Sequence, residues 1–216
     1  ETADYFTAVF LHGTRYAFLR REDSCMEQLT SNNKFTFHGE DTGLSVVDFW
    51  SWAYSDLLNN TDRGVLAEYI VHSALLPPPD SKMRTDWLPF DLTSPTGQRI
   101  EVKSASYLQS WDEAYHEHIQ FSIAPHRAWD PKAGYSPDIK RHSDLYVFCL
   151  YKALTKDVSP LALEYWEFYV LPTYVLNEQK PNQKNISLNS LKALKPYITD
   201  FSGLRDVILN CPIKRA

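Results

Sequence analysis

Residues 90–111 read FDLTSPTGQRIEVKSASYLQSW, and this run decides how the chain is built. Ser94-Pro95-Thr96-Gly97 has proline second and glycine fourth, which suits a type I turn closing a three-residue hairpin loop with a glycine bulge. The alternating run after it, Ile100-Glu101-Val102-Lys103, is the pattern of a strand with one buried face. A turn at this place pairs Ser94 with Gln98 and fixes the register outward. Asp91 then stands opposite Glu101, on one side of the ladder, with Cβ atoms ~5 Å apart. Lys103 projects from the same face as Glu101, while Ile100 and Val102 point into the core.

Two carboxylates opposed in this way repel each other. A divalent cation relieves that repulsion, because Mg²⁺ is typically held by one or two carboxylates together with phosphate and water. The other reading is a solvated sheet face on which Lys103 pairs with both acids. The triplet of an acid, any residue and lysine settles nothing alone, since it occurs five times. Only Glu101-x-Lys103 sits in a strand pattern; the others lie among Pro, Ser, Gly or Asn residues.

A third acid lies upstream. Residues 64–76, GVLAEYIVHSALL, are apolar nearly all round, which predicts a buried helix carrying Glu68. An ionised Glu there needs a counter-charge or a metal. Arg63 and Arg99 are the candidate ion-pair partners.

Working outward, helical patterning covers 44–76, with a break at 59–61 where Asn60 or Thr61 caps a second helix. Pro77-Pro78-Pro79 ends it. Strands are expected at 5–11, 15–20, 87–93, 99–104, 118–124, 145–151 and 165–171, and a helix at 106–115. The tail from Ser187 reads as a helix, a loop and a second helix from about Ser202. With no repeat or linker, the 216 residues form one domain: a β-rich elaboration (1–43), a core with flanking helices (44–171) and a helical C-terminal addition (172–216). Gln109, at the start of the expected helix, and Ser104 are candidate phosphate contacts, with a surface glutamine and a helix-capping serine as the alternatives. Tyr107 and Trp111 are expected to pack in the core.

Composition is that of a globular protein, 44% hydrophobic and 23% charged, with a net charge of −5. Proteins that hold nucleic acid through phosphate neutralisation are usually basic on at least one face. The basic clusters are short here: Arg20-Arg21, Lys140-Arg141, and Lys180 with Lys184. Binding is therefore expected to be weak, local or shared with a protein partner. Cys25, Cys149 and Cys211 lack zinc-like spacing and read as reduced thiols of a soluble cytoplasmic protein. The sequons at Asn59 and Asn185 are read as coincidental, no apolar run is long enough to span a bilayer, and no phosphate loop or Gly-x-Ser-x-Gly elbow occurs.

The order of a helix with Glu68, a strand with Asp91, a strand with Glu101-x-Lys103, then a helix and further strands resembles the PD-(D/E)XK nuclease superfamily over residues 61–151. The resemblance implies a restriction-endonuclease-like α/β fold, an αβββαβ core with a mixed central sheet flanked by helices. It implies Mg²⁺-dependent hydrolysis of DNA, with Mn²⁺ able to substitute, in restriction, phage defence or DNA processing. Asp91, Glu101, Val102 and Glu68 would form the ligand set, and Lys103 would orient or activate the attacking water. Phe90 stands where the superfamily's name-giving proline is expected. A catalytically idle module of the same fold that binds nucleic acid or protein and an RNA-directed nuclease are the alternatives that the residues leave open, and a homodimer is what the resemblance implies for double-strand cutting.

Overall fold

The computed structural model describes residues 28–76, 84, 88–111, 115–130 and 132–214. The hairpin β1 (Lys34–Phe37) and β2 (Glu40–Ser45) turns at His38-Gly39, both at positive φ, the backbone that a two-residue hairpin loop needs. Ser45 and Asp48 form a reciprocal cap on α1 (Val46–Tyr54), satisfying two otherwise unpaired helix groups. Asn59, one residue before the expected cap, accepts the Asp62 N–H and starts α2 (Asn60–Leu75). There follow β3 (Leu92–Thr93), β4 (Arg99–Ser106), β5 (Gln120–Ser122), β6 (His126–Asp130), β7 (Gly134–Lys140), β8 (Leu145–Tyr151) and β9 (Trp166–Pro172). The chain ends with α3 (Thr173–Gln179), β10 (Asn185–Ser187), α4 (Leu188–Ala193), β11 (Tyr197–Thr199) and α5 (Phe201–Asn210).

The central sheet is mixed, in the order β11-β9-β8-β4-β3. β4 and β8 run parallel, and the other pairs are antiparallel. Every residue of β8 is buried, so its sequence, LYVFCLY, is apolar without alternation, as expected of a strand covered on both faces. Ile100, Val102, Val147, Phe168 and Val170 pack with α2 and α5 on one face. Ala105, Tyr146, Phe148 and Tyr169 pack with β5, α3, β10 and α4 on the other. Glu101 and Lys103 belong to this second face by alternation along β4.

Several expectations need correction. No helix forms in the described part of 106–115: β4 runs through Ser106, and the Ser106 Oγ accepts the Leu108 N–H at 3.1 Å, a local bond that competes with helix formation. Among the described residues, the crossover from β4 to the parallel β8 carries β5 and the β6–β7 ribbon and no helix, where a helix is usual. The strand expected at 87–93 shrinks to two described residues, and β11 intervenes where only a loop was expected. Helix α2 is buried on one side only, since Tyr69 is exposed. Trp111 is 67% exposed and outside the core. The strands expected at 5–11 and 15–20, the triple proline and Cys25 lie outside the described residues. Cys149 and Cys211 are buried free thiols. No described helix is long and apolar enough to cross a membrane.

Candidate functional site

The hairpin forms in the expected register. Leu92 pairs with Ile100 and Thr93 with Arg99, the Gly97 N–H donates to Ser94 O at 2.9 Å, and the Ser94 N–H to Gln98 O at 2.9 Å. Gly97 sits at φ +80°, the left-handed backbone that favours glycine there. One step further out, the ladder departs from the expectation. Asp91 donates its N–H to Ile100 O at 2.9 Å rather than taking the rung opposite Glu101. Its side chain completes the edge instead, Oδ2 accepting the Val102 N–H at 2.7 Å. A carboxylate thus fills the place of the next main-chain carbonyl. Beyond Ile100, no described strand covers β4 on this side. The Val102 carbonyl shares that open side with its N–H, because both groups of a strand residue point the same way.

Asp91, Glu101 and Lys103 converge on this edge. The Lys103 Nζ lies 2.5 Å from Glu101 Oε1, with the glutamate side chain only 10% exposed. Burial, then the charge of Glu101, raise the Asp91 carboxyl above the usual range, outweighing Lys103, the Val102 N–H and Arg84. Burial pulls the Lys103 ammonium down, but Glu101, Asp91 and Glu68 together outweigh it and leave its pKa raised. One lysine therefore faces buried Glu101 and half-buried Asp91, and of the two it is Asp91 whose pKa burial and the neighbouring acid raise. Tyr146, level with Glu101 on β8, is pushed far up by burial and by the same acids, so its hydroxyl stays neutral.

Glu68 approaches from α2 and is held by neither Arg63 nor Arg99. Arg84 grips it through Nε at 2.5 Å and Nη2 at 3.1 Å, and the same guanidinium acts on Asp91. Nothing in its sequence surroundings marked Arg84. Arg99 instead holds Asp144, and Arg63 donates to Ser104 Oγ at 3.2 Å. Gln109 lies in the irregular segment after β4, away from the acid pair, and lines a cleft shared with Ser104.

Among the described residues, no three His, Cys, Asp or Glu side chains are grouped to hold a metal ion. The side-chain donors able to meet one are the pair Asp91 and Glu101, with the Val102 carbonyl beside them; Glu68 is engaged by Arg84. No protein-family model matches the chain, and no curated sequence is similar to it at a meaningful level.

Proposed function

We propose that the chain is a Mg²⁺-dependent endonuclease that hydrolyses phosphodiester bonds in DNA, with a restriction-endonuclease-like core running from α2 through β3 and β4 to β8. The observation that carries the reading is the charge imbalance at the edge of β4 that no described strand covers, where half-buried Asp91 and buried Glu101 share one lysine. A divalent cation suits that donor set, since Mg²⁺ asks only one or two carboxylates of the protein. Asp91, Glu101 and the Val102 carbonyl would hold it. When bound, it would supply charge neutralisation on the phosphoryl oxygen and acidify a water.

The chain's own groups supply the rest. Asp91 spends Oδ2 on the Val102 N–H, which fixes the carboxylate and leaves Oδ1 for a ligand. Lys103, with its raised pKa, is an ammonium at neutral pH, so it donates and does not act as a base. Its position beside Glu101 suits it to orient a water or to stabilise the negative charge that builds on phosphorus-bound oxygens. Glu68 positions Arg84, whose charge steadies ionised Asp91. An extended backbone would approach Asp91, Glu101 and Lys103 along the edge of β4 that no described strand covers.

Purified protein incubated with plasmid and linear DNA in Mg²⁺ or Mn²⁺ tests this. Cleavage is expected only with metal, and loss of cleavage in Lys103→Ala and Asp91→Ala. Equal cleavage by all three proteins, or none under any metal, rejects the reading.

A further inference from the structure

Past Lys103, the open edge of β4 runs into a cleft of about 470 Å³ whose walls include Asn60, Arg63, Ser104, Gln109 and Trp111. We propose that this cleft binds the phosphate and base of a nucleotide flanking the scissile bond, with Arg63 as the phosphate's partner. The identity of the ligand as a nucleotide rests on the nuclease reading.

Arg63 is 2% exposed, and no described carboxylate pairs with it. Its Nε donates to Ser104 Oγ at 3.2 Å, Nη1 to Leu58 O at 2.7 Å and Nη2 to Asn60 Oδ1 at 2.6 Å. These are neutral oxygens, and they use three of the five N–H groups of a guanidinium. Burial pulls its pKa down to about 10, so the charge persists at neutral pH while being poorly solvated. Burying a charge without an opposite one is costly, and an arriving anion removes that cost. Arg141 provides the contrast. Also buried, it holds Ile123 O, Asn177 Oδ1, Lys180 O and Gln183 O, which ties loops together and leaves little to offer a ligand.

A second feature of the same cleft is independent of charge. Gln109 Oε1 is buried with no hydrogen-bond partner, an acceptor left for an incoming donor. A nucleotide supplies both complements, an anion for Arg63 and a base N–H for Gln109. The exposed indole of Trp111 stands on the lip, where base stacking is sequence-tolerant and favourable. The volume suits one such unit. With a rise of about 3.3 Å per residue, Ser104 lies on the order of 10 Å along the strand from Glu101, within reach of one continuous nucleic-acid backbone. A protein of net charge −5 gains little from its overall field, so a local cation must carry the contact.

The test is binding without chemistry: the full chain in EDTA, with a fluorescein-labelled oligodeoxythymidylate read by anisotropy across a salt series. A methylphosphonate-linked oligomer removes the charge, and free inorganic phosphate serves as a competitor. Arg63→Met is expected to weaken binding roughly tenfold and to lower the salt slope by about one. Arg63→Lys is expected to keep the slope with partial loss of affinity, and Trp111→Ala and Gln109→Ala to weaken binding several-fold. Unchanged affinity and slope in folded Arg63→Met, or no binding by the wild type, overturns the proposal. Should Arg63→Met fail to fold by its thermal melt, wild-type binding by both Gln109→Ala and Trp111→Ala overturns it instead. Arg63-dependent binding by a protein that never cleaves under any metal upholds the cleft and defeats the nuclease reading. Metal-dependent cleavage with Arg63-independent binding does the reverse.

Discussion

The first half of β4 carries two charge clusters built on opposite balances. At its start, Arg99 grips Asp144 through three donors: the Asp144 carboxylate accepts the Arg99 N–H at 2.8 Å, Nε at 3.2 Å and Nη2 at 2.7 Å. That pair fastens the beginning of β4 to the turn before β8. Two residues later, Glu101 and Asp91 share Lys103, and burial first, then the charge of Glu101, raises the Asp91 pKa. Charge that is neutralised locally serves the fold. Charge left over, at an edge that no described strand covers, is what a cation site requires.

The sharpest separation of the two clusters is expected in catalysis. Lys103→Ala and Glu101→Ala should each lower metal-dependent DNA cleavage by on the order of 10³-fold, with a thermal midpoint close to that of the wild type. Gel-based rates beside melting curves read both. Asp144→Ala should do the opposite. Its side chain is 5% exposed, and its loss strands the Arg99 N–H, so stability should fall by about 2–3 kcal/mol in denaturant titration. Specific activity of the folded fraction should persist. A folded Asp144→Ala protein that cannot cleave would erase the distinction.

A smaller effect concerns Asp91 without metal. Burial, then the charge of Glu101, hold its folded pKa above the ordinary carboxylate range, so the folded state binds the extra proton. Its contribution to stability therefore declines as pH rises from the unfolded carboxylate range through the folded pKa. Asp91→Asn keeps an acceptor for Val102 and removes the repulsion. In EDTA at neutral pH, it should be more stable than wild type by a few tenths to about 1 kcal/mol. The gain should vanish at pH below the unfolded carboxylate range. Equal stabilities at every pH would mean that the acid pair is not under tension.

The smallest effect tests the turn. Gly97→Ala at φ +80° should cost about 1 kcal/mol and reduce cleavage only as far as the register loosens.

Much of this was legible in residues 90–111. Proline and glycine at fixed places in the turn determined the pairing, and the alternation after it separated Glu101 and Lys103 from Ile100 and Val102. The helix break at 59–61 and the apolar run of β8 were equally plain, because each depends on local chemistry. What failed depended on tertiary detail. The extension of β4 through Ser106 comes from seven successive pairings with β8, which outweigh the helical pattern of 106–115. The Asp91 side chain replacing a ladder carbonyl is a matter of edge geometry that residue spacing does not encode. Arg84 was unreadable as the partner of Glu68, and Arg63, expected there, turns instead to Ser104, Leu58 and Asn60, because such roles follow from which groups the fold leaves nearby. The C-terminal strand β11 is a three-residue edge, too short to show a period.

Calorimetric titration of Mn²⁺ or Mg²⁺ into the metal-free chain bears most directly on the surplus-charge claim. Wild type and Asp144→Asn should bind the cation, while Asp91→Asn and Glu101→Gln should show little heat above dilution. Undiminished binding after Glu101→Gln, or no binding by the wild type, would contradict a cation site at the open edge of β4.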